Sequence, residues 1–322
     1  MNTTRYSWLF GSVLVLSVIS ASTSYAQTTT VPGQDIGLAV GAPLPEGLYA
    51  INTFVYRRTD QRFSADTAVE IPILIWSTPW KFLDARVEFL LSQDTVFAFS
   101  RNPAGVPNRD ISVNVGSFVG GSLAWDLGSG VGVSYLFATY LNGVNGDRGS
   151  FVGAGGSTPV VPQLSSTAFR QDFAISYTAD GWNLTAQLTH NFYDSPGRFG
   201  GPVGAALGPI FVSDALNLGL TATKKFGKFE IGAIGYGTTD LSFNPLSGTK
   251  NGRFALGGLI GYDFGSFQTQ IYVARDVATR ATFISAGGIT RENLSTDGFF
   301  RLIVPLYTAA ASNEQPVSLI RK

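Results

Sequence analysis

The stretch 214–236, DALNLGLTATKKFGKFEIGAIGY, decides the fold class. Apolar residues at alternate positions from Leu216 face one way, and polar residues from Asn217 face the other. This period of two is typical of a β-strand with one apolar face. The pattern is interrupted around Gly227, where glycine permits a tight turn, and a second strand follows. The stretch therefore predicts a hairpin made of two long strands.

The same alternation recurs along most of the chain and predicts about twelve strands. They are roughly 11 to 16 residues long, whereas ordinary globular strands have about 5–6 residues and membrane strands need about 9–11. The approximate spans are 47–57, 67–78, 82–92, 111–126, 129–142, 166–178, 181–194, 212–224, 227–242, 251–264, 267–279 and 295–307.

The connections between these strands alternate in length. The short ones lie around Pro79, Leu127, Gly181, Gly227 and Gly265. The long ones are rich in Gly, Pro, Asn and Ser, and are centred on Asp60, Ala104, Gly153, Gly200, Ser247 and Gly288. Short turns at one end and long loops at the other are typical of outer-membrane barrels. We therefore predict an all-β protein, a transmembrane antiparallel up-and-down β-barrel with short periplasmic turns and long extracellular loops. The alternatives are a secreted β-sandwich and a soluble lipid-binding barrel.

The composition excludes several classes of function. The chain has no cysteine and one histidine, so disulfides, Cys/His zinc sites and thiol catalysis are excluded. Its formal net charge is 0, which gives no basic excess for nucleic acid. Only 14% of residues are charged, against about 25% in soluble domains. We expect no cofactor and no metal.

The N-terminus carries a targeting signal. Arg5, an apolar run over 8–19 and the small residues before the predicted cleavage after Ala26 indicate a signal peptide over residues 1–26. The alternative is an uncleaved N-terminal anchor. Residues 27–46 have no pattern and are predicted to be a loose periplasmic segment rather than a plug crossing the lumen. The barrel should occupy 47–307, followed by a tail over 308–322.

Alternation also predicts which side chains face the lumen. The charged candidates for a constriction are Glu70, Asp84, Arg86, Glu88, Arg170, Asp172, Glu230, Asp276 and Arg301. Opposed charges in a pore create a transverse field, although pairing that merely rigidifies a filled barrel is the alternative. The aromatic candidates are Phe54, Tyr56, Trp76, Phe118, Tyr236 and Tyr272. They would suit apolar or aromatic solutes, and the alternative is tight packing of a narrow barrel.

No catalytic set is visible in the sequence. A lipase-like site would need His190 and the adjacent Asn191 on the same face of the barrel. Adjacent strand residues point to opposite faces, so these two cannot work together. No nucleophile elbow accompanies them. We therefore predict that the protein is not an enzyme.

Motifs along most of the mature chain resemble a family of outer-membrane proteins named after the meta-cleavage pathway of phenol degradation. The resemblance begins at residues 44–49 (LPEGLY) and continues at 125–127 (WDL) and in the hairpin over 172–193. It is clearest over 213–236 and 256–262 (LGGLIGY), which are similar to the family's strand–turn–Gly-x-x-Gly-Tyr block and its next strand.

The resemblance implies a barrel that passes small hydrophobic or aromatic compounds across the outer membrane. Its expected partners are outer-membrane lipids, hydrophobic solutes and the barrel-assembly machinery, with no nucleic acid. The alternative is a structural or surface-interaction barrel that transports no solute.

Overall fold

Twelve antiparallel strands close into one barrel, in which the first strand pairs with the last. The computed structural model describes residues 30–61, 65–101, 111–141, 150–153, 156–159, 167–193, 197–198, 209–210, 213–242, 250–285 and 287–309. The barrel strands are β1 (Gly47–Thr59), β2 (Ala65–Phe82), β3 (Ala85–Ser100), β4 (Ile111–Gly128), β5 (Val131–Leu141), β6 (Thr167–Tyr177), β7 (Trp182–Tyr193), β8 (Ala215–Phe226), β9 (Phe229–Asp240), β10 (Gly252–Asp263), β11 (Gln268–Thr279) and β12 (Ser295–Thr308). The predicted antiparallel barrel is confirmed.

Three small hairpins lie within the described parts of the long connections. They pair Ser150–Gly153 with Gly156–Pro159, Gly197–Arg198 with Pro209–Ile210, and Thr282–Ile284 with Thr290–Glu292. No helix in the described part of the chain has the length and apolarity needed to cross a membrane.

The short turns use left-handed backbone, as tight hairpins require. Gly181 and Gly227 have φ values of 74° and 62°. The turn between β2 and β3 lies at Leu83 and Asp84, with φ values of 48° and 64°, so the predicted turn around Pro79 is wrong. Strand β2 instead continues through a register irregularity between Ser77 and Lys81, because a bulge can accommodate a proline that lacks an N–H. Asp84 is an exposed turn residue and not a lumen residue.

Burial alternates along the strands and defines an inward and an outward face. In β1, Ile51, Thr53 and Val55 are buried, whereas Phe54 between them is 39% exposed. Large apolar residues such as Leu218 and Ile271 are exposed on the outer wall. A lipid environment requires an apolar outer wall and a closed sheet. Closure is needed because the backbone groups of an open strand edge would find no hydrogen-bond partner in lipid.

The prediction that the N-terminal segment is loose is wrong. Residues 30–46, here called the plug, lie inside the barrel, where Thr30, Gln34 and Ile36 are buried. Successive turns make the segment compact. One of them is closed by the hydrogen bond from Ile36 N to Gly33 O. The predicted signal peptide and residues 310–322 of the predicted tail lie outside the described residues.

Candidate functional site in the barrel lumen

Arg301 of β12 holds one side of the plug. Its side chain is 0% exposed and donates hydrogen bonds to the backbone carbonyls of Gln34 and Ile36. The same guanidinium donates to Gln270 Oε1 at 2.9 Å and to the Tyr272 hydroxyl at 2.8 Å. A buried cation is tolerated only when its donors are satisfied, so the plug and the barrel wall complete one another here.

Arg170 of β6 holds the plug from another side. It donates to Asp35 Oδ2 at 2.5 Å and also pairs with Asp172 two residues away on its own strand. Gln187 Nε2 adds a hydrogen bond to Asp35 Oδ2 at 3.1 Å. Burial alone would raise the pKa of the Asp35 carboxyl, but the Arg170 guanidinium and the Gln187 amide hold it below its ordinary value. Asp35 is therefore held as a carboxylate inside the barrel.

Further lumen side chains bond the plug backbone. The pairs are Leu44 N with Glu88 Oε1, Gly41 N with Ser176 Oγ, Gly37 N with Thr221 Oγ1, Asn183 Nδ2 with Gly37 O, and Ser134 Oγ with Val40 O. They lie on five different strands of the barrel. The inward polar face therefore supplies the hydrogen-bond partners that an irregular segment needs when it is buried.

A second ionic cluster joins β1, β9, β10, β11 and β12. Arg253 Nε contacts Asp276 Oδ1 at 2.6 Å, and Arg253 Nη2 contacts Asp297 Oδ2 at 2.8 Å. Arg57 Nε and the Tyr236 hydroxyl each donate a hydrogen bond of 2.7 Å to the Asp297 carboxylate. Two arginines thus balance two aspartates, and this cluster ties strands together, while the Tyr236 ring also packs with Ile36 of the plug.

A cavity of about 100 Å³ separates the plug from the other side of the barrel. One wall is aliphatic and consists of Ile51, Ile71, Ile73 and Ile75 from β1 and β2, together with Leu90 and Leu136. Leu38 and Leu44 of the plug also line it. Its polar lining groups include Glu88, Ser92, Asp94, Arg170 and Asp172. The cavity can therefore hold a small, mostly apolar molecule that carries a polar group.

Seven of the nine predicted charged residues lie on the inward face. These are Arg86, Glu88, Arg170, Asp172, Glu230, Asp276 and Arg301. Glu230 accepts hydrogen bonds from Thr223 and Gln270, and Arg86 donates to the backbone of Thr78. The prediction for Glu70 is wrong. Glu70 of β2 lies opposite the outward-facing Phe54 of β1 and accepts a hydrogen bond from Asn52 at 3.1 Å.

The aromatic candidates divide evenly. Phe118, Tyr236 and Tyr272 are buried in the lumen, whereas Phe54, Tyr56 and Trp76 are exposed on the outer wall, contrary to the prediction. The inward positions of β1 and β2 carry Ile51, Val55 and Ile71 instead. The prediction assigned the face that carries polar neighbours to the lumen. That rule failed in β1 and β2 because the plug gives the lumen an apolar layer of its own.

Several lumen residues were not among the predicted site residues. Arg253 and Asp297 lie at inward positions of β10 and β12, and Asp297 shares the parity of Arg301, so alternation could have found it. Asp94 lies beyond the predicted end of its strand at residue 92. No periodic signal marks Asp35. His190 faces outward and stacks on Phe192, while the adjacent side chain faces inward, so the two do not form a catalytic pair.

No group of three or more His, Cys, Asp or Glu residues that could hold a metal ion occurs among the residues described above. The lumen polar groups instead bond to one another and to the plug. The lumen therefore presents hydrogen-bonding groups and apolar surface to whatever enters the cavity.

Comparison with known proteins gives a family and a fold. The family model described as "Putative MetA-pathway of phenol degradation" matches residues 27–291. Among solved structures, a FadL homologue of Pseudomonas aeruginosa is 10% identical, with 88% of this chain and 99% of that chain covered and a TM-score of 0.50.

Two further structures are similar at lower scores. The translocator domain of the autotransporter NalP from Neisseria meningitidis is 11% identical, covers 94% of this chain and 99% of its own, and has a TM-score of 0.48. The CymD monoaromatic hydrocarbon channel is 10% identical, covers 84% and 91%, and has a TM-score of 0.45. No curated protein matches the chain.

Proposed function

Because the chain belongs to the phenol-degradation family whose model matches residues 27–291, we propose that it is an outer-membrane channel for small hydrophobic or aromatic compounds. The observation that carries the proposal is the aliphatic cavity between the plug and the wall formed by β1 to β7.

The size of the cavity suits a single ring. An engineered protein cavity of about 150 Å³ lined by aliphatic and aromatic side chains binds benzene, and the present cavity of about 100 Å³ has the same order of size. Ile71 and Ile73 provide an apolar wall from which water gains little, so an apolar ring replaces water there favourably.

The plug explains how such a channel avoids leaking ions. Arg301 and Arg170 hold it in place, and its backbone is bonded to side chains around the lumen. The bonded plug obstructs a hydrated ion, whereas a small apolar solute binds to the aliphatic wall. Passage then requires local displacement of plug residues that line the cavity, such as Leu38 and Leu44.

The proposal also orients the barrel. The short turns carry exposed aromatic residues, including Trp80, Phe82, Phe226 and Phe264, as a membrane-interface girdle does. We place these turns in the periplasm and the long connections outside, after cleavage of the leader near Ala26. Outer-membrane lipids and the barrel-assembly machinery are then the partners of folding, and the hydrophobic solute is the partner of function.

The test is to fill the cavity without changing the outer wall. Ile73→Trp adds bulk where Ile73 lines the cavity, and Leu74→Trp adds the same bulk at the adjacent, outward-facing position. We expect Ile73→Trp to reduce the initial uptake of toluene and phenol by intact cells about tenfold, and Leu74→Trp to leave it unchanged. Both variants must retain heat-modifiable migration on gels, which reports a folded barrel.

Equal uptake by the two variants and by cells without the protein would contradict the channel proposal. That outcome would favour the alternative of a structural or surface-interaction barrel, in which the cavity is only a packing gap beside the plug.

A further inference from the structure

We propose that the cavity selects small aromatic molecules that donate a hydrogen bond, such as phenols and aromatic amines, over hydrocarbons and carboxylates. The inference rests on the proposed channel function and names the solute class within it. Asp94 is the residue on which it depends, and Glu88 provides a second acceptor further along the same strand.

Asp94 presents an acceptor without a partner. Its side chain is 3% exposed and lines the cavity. Ser92 Oγ donates to Asp94 Oδ1 at 2.5 Å, but Asp94 Oδ2 accepts no hydrogen bond from any residue in the described part of the chain. Because Asp94 lines the cavity, this oxygen is open to a ligand, and a ligand that brings an O–H or N–H gains a hydrogen bond to a charged acceptor.

Glu88 repeats this arrangement closer to the short turns. Its Oε1 accepts a hydrogen bond from the plug at Leu44 N, at 2.9 Å, and it also lines the cavity. Glu88, Leu90, Ser92 and Asp94 are successive inward residues of β3, and all four line the cavity. Six residue steps of a strand span about 20 Å, so the two acidic side chains lie at different depths of the lumen, with Leu90 and Ser92 between them.

The charge balance of the lining argues against anionic solutes. Four acidic side chains line the cavity, namely Asp35, Glu88, Asp94 and Asp172, against the single guanidinium of Arg170. Arg170 already donates to Asp35 and Asp172 through Nε and Nη2, so a ligand carboxylate would compete with two carboxyl groups for its charge. A solute with its own carboxylate would therefore meet repulsion, and the same field favours a donor hydrogen.

A hydrocarbon would fit the aliphatic wall but would leave Asp94 Oδ2 unpaired. A site built around a hydrogen bond rejects the analogue that lacks the partner group, because the buried polar atom then loses water without compensation. The hydroxyl of a phenol would replace that water, while its ring contacts Ile71 and Ile73.

The test measures binding of three fluorinated probes to the purified barrel by fluorine NMR at neutral pH. The probes are para-fluorophenol, para-fluorotoluene and para-fluorobenzoate. Signal changes in the Ile73→Trp variant, whose cavity is filled, are subtracted as the background from detergent and outer wall. We expect cavity-specific binding in the order phenol, then toluene at least about fivefold weaker, and no binding of benzoate.

Variants then assign the selection to Asp94. Asp94→Leu should weaken para-fluorophenol binding at least about fivefold without weakening para-fluorotoluene binding, and Asp94→Asn, which keeps an oxygen acceptor, should restore much of the loss. Loss of both probes to the same degree, or unchanged phenol binding, would overturn the proposal. The wild-type ranking tests it independently if Asp94→Leu fails to assemble.

The outcomes also separate the two proposals. If none of the three probes binds above the Ile73→Trp background, the channel function itself is overturned. If all three bind with equal affinity, the channel function stands and only the selection by hydrogen bonding is overturned.

Discussion

The two sides of the lumen are built differently. On the side of β9 to β12, Tyr236, Tyr272 and Phe299 pack with Ile36 of the plug, and Tyr272 and Phe299 stack with ring centroids 4.2 Å apart. On the side of β1 to β7, the plug leaves the cavity open. The contrast indicates that one side fixes the plug and the other side keeps room for a solute.

Hydrogen bonding differs between the sides in one respect. On the filled side, Arg301 and Gln270 bond both the plug and the wall. The cavity side also bonds the plug, through Glu88, Ser134, Arg170 and Ser176, but there Asp94 has an oxygen with no donor among the described residues. Substitutions should therefore cost stability on the filled side and change ligand binding on the cavity side.

The largest expected effect is at the main plug contact. Arg301→Met removes the donors for the Gln34 and Ile36 carbonyls and should lower the free energy of unfolding by at least about 3 kcal/mol. The barrel should still assemble, but the plug should leave the lumen and open an ion-conducting pore. Single-channel recording in planar bilayers measures this conductance.

Arg275→Met is the matched control, because the Arg275 side chain is 48% exposed and its ion pair with Asp60 lies on the outer surface. It should change stability by less than about 1 kcal/mol and should not conduct. A closed pore in Arg301→Met would mean that the cavity side holds the plug without help from the filled side.

A second pair compares packing on the two sides directly. Tyr272→Ala removes a stacked ring and its hydrogen bond to Gly33 O, and we expect a loss of about 3–5 kcal/mol. Leu90→Ala borders existing empty space, loses fewer contacts and should cost at most about 2 kcal/mol. Denaturant unfolding in detergent gives both values, and equal losses would refute the packing difference between the sides.

The contrast also explains what the sequence could predict. Strand number and most turns were predictable because alternation and left-handed turn residues such as Gly181 and Gly227 are local signals. The faces of Phe54 and Trp76 were not, because the rule of a polar interior fails where a plug supplies an inner apolar layer. Asp35 carries no periodic signal, and its role depends on a contact with Arg170, 135 residues away.

A smaller effect is expected from the plug backbone. Gly37 has a φ of +86°, and a Cβ built there would lie 2.6 Å from Leu259 Cδ1, which is buried. Gly37→Ala should therefore loosen the plug by about 1–3 kcal/mol through strain and this contact. Intermittent conductance should appear in single-channel traces. Gly258→Ala, whose built Cβ has its nearest contact at 3.7 Å from Gly232 O, should remain silent.

The smallest effect concerns a polar side chain that bonds nothing. Asn217 of β8 is 6% exposed, and neither its Oδ1 nor its Nδ2 has a hydrogen-bond partner within the described ranges of the chain. Asn217→Leu should change the free energy of unfolding by less than about 1 kcal/mol or raise it, because an unsatisfied buried amide is removed. Gln270→Leu, which breaks bonds to Gly37, Glu230 and Arg301, should cost about 2–3 kcal/mol. A larger loss in Asn217→Leu would indicate that this amide binds an ordered water.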